Sequence, residues 1–275
     1  MTFNLLVSQG RAADTTKYTL EGAAVTARAI QERFGPAPQT LGKPSPPARD
    51  SWTESLPQAR PALEAVADAV EASIRSGERT VLVSNTCSIS LASLPVMARH
   101  FPDAMLLWID AHGDFNTPET TETGYLGGMV VAAVCGLWDS GHGAGLAPQN
   151  VLFVGSRDVD AEEELLINRS GARILPADQV TLEALLAVVG TRKLWIHIDW
   201  DVLEPGYVPA DYAVSGGLVP DQIRSILASL PQNQVLGLEI AEFQAPDDPA
   251  QRQRAVDAIL HMIEPILGNP HELSA

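Results

Sequence analysis

Short apolar runs alternate along the chain with longer segments whose apolar residues recur at helical spacing. The short runs are typical of buried strands, and the longer segments are typical of amphipathic helices. The strand-like runs are residues 4–8, 80–83, 104–109, 150–154, 173–175, 194–198 and 235–239. The helix-like segments are residues 22–34, 59–76, 91–100, 161–170, 182–189, 220–229 and 251–267. This alternation predicts an α/β fold with a mostly parallel central sheet and helices on both faces.

One proline-rich segment interrupts the alternation. Residues 34–51 include Gly-Pro-Ala-Pro at 35–38 and Lys-Pro-Ser-Pro-Pro at 43–47, which predicts an excursion over the surface. The sequence has no internal repeat and no long low-complexity linker. We therefore expect residues 1–275 to form a single catalytic domain, a length sufficient for one large core.

The charge of the chain restricts its partners. Asp and Glu number 34 against 18 Lys and Arg, which gives a net charge of −16. Nucleic acid and anionic membrane surfaces both attract basic proteins, so neither is an expected partner. Two cysteines, Cys87 and Cys135, are too few for a disulfide framework. The first residues lack a basic leader, and no apolar run reaches the roughly 18 residues of a membrane span, so we expect a cytoplasmic protein.

Two acidic clusters directly follow strand-like runs. Asp110, His112 and Asp114 form the first cluster, and Asp199 and Asp201 form the second. Residues two apart on an extended chain point to the same side, and ligands of parallel sheets bind beyond the carboxyl ends of the strands. Four crowded carboxylates would repel each other without cations. The pattern therefore favours a divalent-metal site, and oxygen ligands with an imidazole suit manganese.

Longer motifs around these clusters resemble those of the arginase (ureohydrolase) family. They read DAHGDFNTP at 110–118, DWDVLEP at 199–205 and GLEIAE at 237–242. The resemblance implies a three-layer, arginase-like α/β fold, two Mn²⁺ ions and hydrolysis of a guanidino group. A pair of metals makes hydroxide available near neutral pH over the guanidinium carbon. The metal ligands that the resemblance implies are Asp110, His112, Asp114, Asp199 and Asp201.

The resemblance also implies how a substrate is held. Asp114 would orient the hydroxide as well as binding metal, and Glu242 would anchor the guanidinium. Asn116 and Thr123 match positions that contact an amino-acid carboxylate, although both could be plain turn residues. A small guanidino amino acid is the partner implied, because its α-amino group would be received by Asp158 and Asp160, which alternatively cap the helix that follows. Family members often form trimers or hexamers, so a homo-oligomer is compatible with the resemblance.

Two positions depart from the family pattern. The family's first ligand is a histidine in a Gly-Gly-Asp-His stretch, whereas this chain has SNTCS at 84–88 and places Cys87 at that position. A thiolate is a softer ligand than manganese prefers, and a buried apolar role for Cys87 is the alternative. Gly127 stands where arginases carry a histidine thought to protonate the leaving amine.

These departures favour a modified substrate. An N-hydroxylated guanidine is less basic than a guanidine and makes different proton demands, and Gly127 would leave room for its hydroxyl. We therefore predict hydrolysis of Nω-hydroxy-L-arginine to hydroxyurea and L-ornithine. The same variants are similar to those of family members that act in D-cycloserine biosynthesis. The alternatives are an arginase or other guanidino-acid hydrolase, and a catalytically silent homologue that binds metal or ligand.

The remaining histidines are expected to differ in role. His197 lies two residues before Asp199 on the same strand face, where it could carry protons in place of the missing histidine. A hydrogen-bonded strand histidine is the alternative there. His100, His261 and His271 are expected at the surface.

Overall fold

A computed structural model describes residues 2–268 of the chain. Eight strands lie within these residues: β1 Phe3–Ser8, β2 Gln39–Leu41, β3 Arg79–Val83, β4 Met105–Ile109, β5 Val151–Val154, β6 Arg173–Leu175, β7 Leu194–Asp199 and β8 Val235–Ala241. The same residues contain eight α-helices: α1 Tyr18–Phe34, α2 Trp52–Ser76, α3 Ser90–His100, α4 Val130–Val134, α5 Ala161–Ser170, α6 Leu182–Val189, α7 Pro220–Ser229 and α8 Pro249–Leu267.

The strands form one sheet in which every pair is parallel. Their order is β2-β1-β3-β8-β7-β4-β5-β6. Apolar side chains of one sheet face pack with α1, α6, α7 and α8, and those of the other face pack with α2, α3, α4 and α5. The structure confirms the predicted α/β fold, with a central sheet between two helical layers.

Local sequence signals account for most element boundaries. Helices α5, α6 and α7 and strand β6 have the predicted bounds. Strand β8 continues two residues beyond the prediction, because it lies between β3 and β7 and is buried on both faces. Its register with β7 pairs Asp199 with Ala241, which brings the ends of the two strands together.

The segment before residue 52 differs from the prediction. The excursion at 34–51 contains β2, a short edge strand that pairs with β1 and accepts a hydrogen bond of 2.7 Å from Gln9 N at Leu41 O. Three residues are too few to show the alternation of apolar and polar positions that is typical of a strand. Pairing with β1 is what makes this segment extended. Helix α2 begins at Trp52, seven residues earlier than predicted, because Ser51 and Glu54 form a capping box. Prolines 57 and 61 lie within this helix, where both are exposed.

The sheet order explains how distant segments meet. Strands β3, β8, β7 and β4 are neighbours in the middle of the sheet. Because they are parallel, the loops after all four strands lie at the same edge. Both predicted acidic clusters are in these loops or at the strand end.

Two other expectations concern surfaces. Within residues 2–268, no helix combines the length and apolarity needed to cross a membrane. His261 is exposed, whereas His100 is partly buried and lies 2.9 Å from Glu71 Oε2. His271 lies outside the described residues.

Candidate metal centre and active site

An acidic cavity opens at the carboxyl edge of the central strands. Its volume is about 240 Å³. Most of the predicted site residues line it together. The lining residues are Cys87, His112, Asp114, Asn116, Thr123, Tyr125, Gly127, Gly128, Asp158, Asp160, Glu163, Asp199, Asp201, Asp211, Tyr212 and Glu242.

Cys87 joins three strands at the floor of the cavity. It begins a 3-10 turn after β3, and its backbone N–H donates to Glu242 Oε1 at 2.9 Å. Its Sγ lies 3.2 Å from Asp199 Oδ2 and 3.3 Å from His197 Nε2. The side chain is 2% exposed and therefore contacts polar groups in a buried setting. These contacts agree with a ligand position better than with a purely apolar one.

A second group joins β4 to the turn after β7. The Nδ1 atom of His112 lies 2.9 Å from Asp201 Oδ2 and 3.4 Å from Asp110 Oδ1. The backbone N–H of Ala111 donates to the other Asp201 oxygen at 3.1 Å. Asp110 is completely buried, and its Oδ2 has no hydrogen-bond partner among the described residues. A buried carboxylate oxygen without a partner is costly, and a cation would satisfy it.

Two acidic residues reach the cavity from left-handed backbone. Asp114 has φ of 48° and Glu242 has φ of 65°, a region that residues other than glycine seldom adopt. Such strain persists where the surroundings enforce it and often marks a functional site. Both side chains are at most 9% exposed, yet both line the cavity.

Most acidic groups at the floor hold protons more tightly than usual. Burial, followed by neighbouring charges, raises the pKa of Asp114, Asp199 and Glu242 well above the ordinary range. The same two causes raise the pKa of Asp201 to about 7. Burial and the charge of Asp199 likewise raise the pKa of the Cys87 thiol. The cluster therefore lacks positive charge.

His112 supplies part of that charge. Burial alone would lower its pKa, but hydrogen bonds and charges from Asp110 and Asp201 raise the pKa to about 12. Burial likewise acts to raise the pKa of Asp110, and its contacts with His112 outweigh burial and lower it. A protonated imidazole thus occupies the position between two carboxylates where a metal ligand is predicted.

Within the described residues, the ligand atoms form three groups suited to cations, one of which (Cys87, Asp110 and His197) shares a member with each of the other two. One group contains Cys87, Asp199 and Glu242, and a second contains Asp110, His112 and Asp201. Within each group the ligand atoms lie within 4.8 Å of one another. Carboxylate oxygens and one imidazole fit a hard or borderline divalent ion, and the thiol makes one group softer. The residues present therefore fit one cation in each of the two groups that share no residue.

His197 lies behind this cluster. It is fully buried and stacks on Trp108 with ring centroids 3.7 Å apart. Its Nδ1 lies 3.2 Å from both Ser90 Oγ and Glu239 Oε2. His197 does not line the cavity, so direct contact with a substrate is excluded in this arrangement.

The other predicted substrate contacts lie nearer the mouth. Thr123, Asp158 and Asp160 are exposed, whereas Asn116 is 7% exposed and accepts a hydrogen bond from Thr120 Oγ1 at 2.9 Å. Asp160 also caps α5, as the alternative interpretation expected. It lines the cavity as well.

Sequence reasoning missed four lining residues that have polar side chains. Glu163 accepts a hydrogen bond from Phe115 N at 2.7 Å, and burial raises its pKa to about 7. Asp211 and Tyr212 belong to an irregular loop, where Tyr212 has φ of 60°, and no sequence motif marks them. Tyr125 lies within the GYLGG stretch, where the departure at Gly127 was the only signal. Burial and the charges of Glu242 and Cys87 raise its pKa, so its phenol stays protonated.

Comparisons with known proteins agree with this geometry. The profile described as "Arginase family" matches residues 14–266. The Nω-hydroxy-L-arginine amidinohydrolase of Streptomyces lavendulae is 54% identical over 262 residues, which cover 95% of this chain and 96% of that protein. The arginase of Eremothecium gossypii is 31% identical over 70% of this chain and 53% of its own length. The crystal structure of Bacillus subtilis arginase has the same fold, with a TM-score of 0.84, 21% identity, and 98% and 99% of the two chains covered.

Proposed function

The chain belongs to the arginase family, and we propose that it hydrolyses Nω-hydroxy-L-arginine to hydroxyurea and L-ornithine. The observation that carries the choice of substrate is 54% identity, over 95% of the chain, to a protein named for that activity. The cavity supports it chemically, because exposed carboxylates at the mouth suit an α-ammonium group and a buried carboxylate at the floor suits a guanidino group.

Two divalent ions, proposed to be Mn²⁺, would be held at the floor of the cavity. The unpaired Oδ2 of Asp110 and the two groups of convergent ligand atoms support this proposal. When bound, the ions supply a water of lowered pKa as the nucleophile at neutral pH. The proposed ligands are Cys87, Asp110, His112, Asp114, Asp199 and Asp201.

Glu242 and Asp114 would act on the reacting group. A Glu242 oxygen accepts hydrogen bonds from the guanidino nitrogens and holds the planar carbon over the floor. An Asp114 oxygen accepts a hydrogen bond from the attacking water, which orients it, and then takes its proton. The proton then passes from Asp114 to the departing amine of L-ornithine, a role for which Gly127 has no side chain.

The amino-acid part of the substrate would lie toward the mouth. Asp158 and Asp160 accept hydrogen bonds from the α-ammonium group, and both are exposed where such a group could enter. Asn116 and Thr123 donate to the α-carboxylate through their amide and hydroxyl groups. This orientation places the guanidino end at the buried floor.

The part that we propose for His197 is indirect. Its Nε2 lies 3.3 Å from Cys87 Sγ, and its other ring nitrogen faces Ser90 and Glu239. His197 lies behind Cys87 as seen from the cavity, so it would act on the site by orienting the thiol group through this contact.

The test is a substrate panel with the purified, Mn²⁺-loaded chain. Nω-Hydroxy-L-arginine, L-arginine and agmatine are incubated separately, and hydroxyurea and urea are resolved by liquid chromatography with mass detection. We expect hydroxyurea and L-ornithine in equal amounts from the first substrate. The Asp114→Asn variant is the matched control, and its rate should fall at least about 100-fold because it cannot accept the proton.

Other outcomes of the panel would contradict the proposal. Urea from L-arginine at a higher kcat/KM would identify an arginase. No product from any substrate, with no bound metal, would identify a catalytically silent homologue.

Finer assignments stay proposals with tests of their own. We propose that residues 1–275 form one catalytic domain, that the protein is cytoplasmic and that its product enters D-cycloserine formation. Metal analysis of protein purified without added metal would identify the native ion, and cell fractionation would locate the protein. Loss of D-cycloserine when the gene is deleted, with rescue by added hydroxyurea, would place the reaction.

A further inference from the structure

The side chain of Tyr125 fills the space above Gly127. A Cβ atom added to Gly127 would lie 2.3 Å from Tyr125 Cε1 and 2.9 Å from Cζ. Such distances are far inside van der Waals contact, so residue 127 cannot carry a side chain while the ring keeps this position. The sequence interpretation that Gly127 leaves open space is therefore wrong in one respect, because an aromatic ring takes that space.

Hydrogen bonds of the neighbouring backbone and a second aromatic ring hold Tyr125 in place. The backbone N–H of Trp52, at the start of α2, donates to Gly124 O at 2.7 Å. Gly124 has φ of 66°, and the N–H of Tyr125 donates to Thr123 Oγ1 at 3.2 Å. The ring of Tyr212 lies 5.7 Å away, tilted by 45°. The position of the phenol is therefore set by a helix start, a glycine turn and a second ring.

The phenol belongs to the inner part of the cavity. Tyr125 is partly buried and lines the cavity together with Cys87 and Glu242, which are 2% and 8% exposed. Asp158 and Asp160, which line the same cavity, are exposed. A substrate with its α-ammonium group at the mouth would place its guanidino group beside Tyr125.

We propose that Tyr125 is a specificity-determining residue whose hydroxyl hydrogen-bonds to the N-hydroxyl group of the substrate. This inference rests on the proposed function, because L-arginine has no such group. A phenol and an N-hydroxyl group each donate and accept one hydrogen bond, so they pair well. With L-arginine the phenol keeps no equivalent partner on the substrate, and a site built for a hydroxyl discriminates against the analogue that lacks it.

The decisive variant is Tyr125→Phe, which keeps the ring over Gly127 and removes only the hydroxyl. We expect kcat/KM for Nω-hydroxy-L-arginine to fall roughly ten-fold, the size of one net hydrogen bond. The kcat/KM for L-arginine, or its inhibition constant where turnover is too slow, should change less than about two-fold because no hydrogen bond is lost. The melting temperature should stay at the wild-type value.

Two further variants make the test specific. Tyr207→Phe removes an exposed phenol outside the cavity and should keep the wild-type ratio of the two substrates. Gly127→Ala adds the methyl group that displaces the Tyr125 ring, so it should reduce the preference for the hydroxylated substrate although the hydroxyl remains.

The two proposals fail in distinguishable ways. If wild-type protein releases no hydroxyurea, the proposed function is wrong, and so is the role of Tyr125. Active wild-type protein with an unchanged substrate ratio in Tyr125→Phe overturns the role of Tyr125 alone. A loss that appears in Tyr212→Phe and not in Tyr125→Phe also overturns the role of Tyr125, because the hydroxyl that matters would then belong to the neighbouring ring.

Discussion

Cys87 shows how one substitution changes a whole site. Its Sγ contacts an imidazole and a carboxylate at 3.3 and 3.2 Å, in a position where the family pattern has a histidine. The thiol must lose its proton to bind a metal, while burial and the charge of Asp199 keep that proton bound. We therefore expect one of the two metal positions to be weak for manganese.

The variant Cys87→His should strengthen that position. An imidazole suits Mn²⁺ better than a thiolate, so we expect at least about ten-fold tighter binding of the weaker ion. Cys87→Ala should lose the same ion. Manganese retained after desalting, measured by inductively coupled plasma mass spectrometry, checks both outcomes.

Cys135→Ala provides the matched control for Cys87, because Cys135 is a partly buried cysteine outside the cavity. Equal manganese content in Cys87→His, Cys87→Ala and wild-type protein would contradict a ligand role. It would favour the interpretation of Cys87 as a small packing residue.

The sequence predicted the location of a site residue where that residue directly follows a strand-like run. Asp110 and Asp199 come at the ends of apolar runs, so the edge on which they lie followed from the strands themselves. Tyr125 and Asp211 depend on how irregular loops fold back over the sheet. Local pattern holds no information on that packing, so both residues were missed.

At the scale of elements, the central strands β7 and β8 pack closely against each other at Gly237. A Cβ atom at Gly237 of β8 would lie 2.6 Å from Cζ3 and 2.7 Å from Cε3 of Trp195 on β7. Trp195 is fully buried, so it has little room to move. Close contact here keeps β7 and β8 in the register that brings Asp199 beside Ala241.

Gly237→Ala should therefore destabilise the protein. Overpacking of a dense core costs about 1–3 kcal/mol, and urea denaturation followed by circular dichroism would measure it. Gly128→Ala is the control, because a Cβ atom there meets nothing within 4 Å. If the free energy of unfolding of Gly237→Ala equals that of wild type, the close contact of β7 and β8 at Gly237 does not contribute to stability.

Elements with strong local signals were the predictable ones. Helix α5 matches its predicted bounds because Asp160 caps its start and Gly171 ends it in left-handed conformation. The early start of α2 was missed because the apolar pattern was followed only from residue 59, whereas the capping box of Ser51 and Glu54 starts the helix at Trp52. Strand β2 was missed because its sequence has no strand pattern, and its extended conformation depends on pairing with β1.

At the scale of the molecule, metal binding and stability are expected to be linked. The metal-free site holds buried groups that bind protons more tightly when folded, including Asp201 with a pKa of about 7 and His112 with a pKa of about 12. Both values lie above those of the unfolded chain. The folded state therefore binds more protons, and the metal-free protein loses stability as pH rises from about 4 through neutrality.

Metal removal should therefore matter most at higher pH. Free Mn²⁺ at 100 times its Kd stabilises the folded state by about 2.7 kcal/mol for one site. For a chain of this size that raises the melting temperature by roughly 5 °C. We expect the difference between Mn²⁺-loaded and chelator-treated protein, measured by scanning calorimetry, to increase from pH 5 to pH 8. A difference that is constant or shrinks would contradict this linkage.

The place of β8 in the sheet has a consequence for synthesis of the chain. This strand comes last in sequence, yet it separates β3 from β7. Cys87 and Asp199 therefore cannot become neighbours until residue 241 has left the ribosome tunnel. In a nascent chain stalled earlier, β4 and β7 can already pair, but Cys87 is not yet held beside Asp199. We therefore expect the proposed two-metal centre to be completed only after translation is nearly finished.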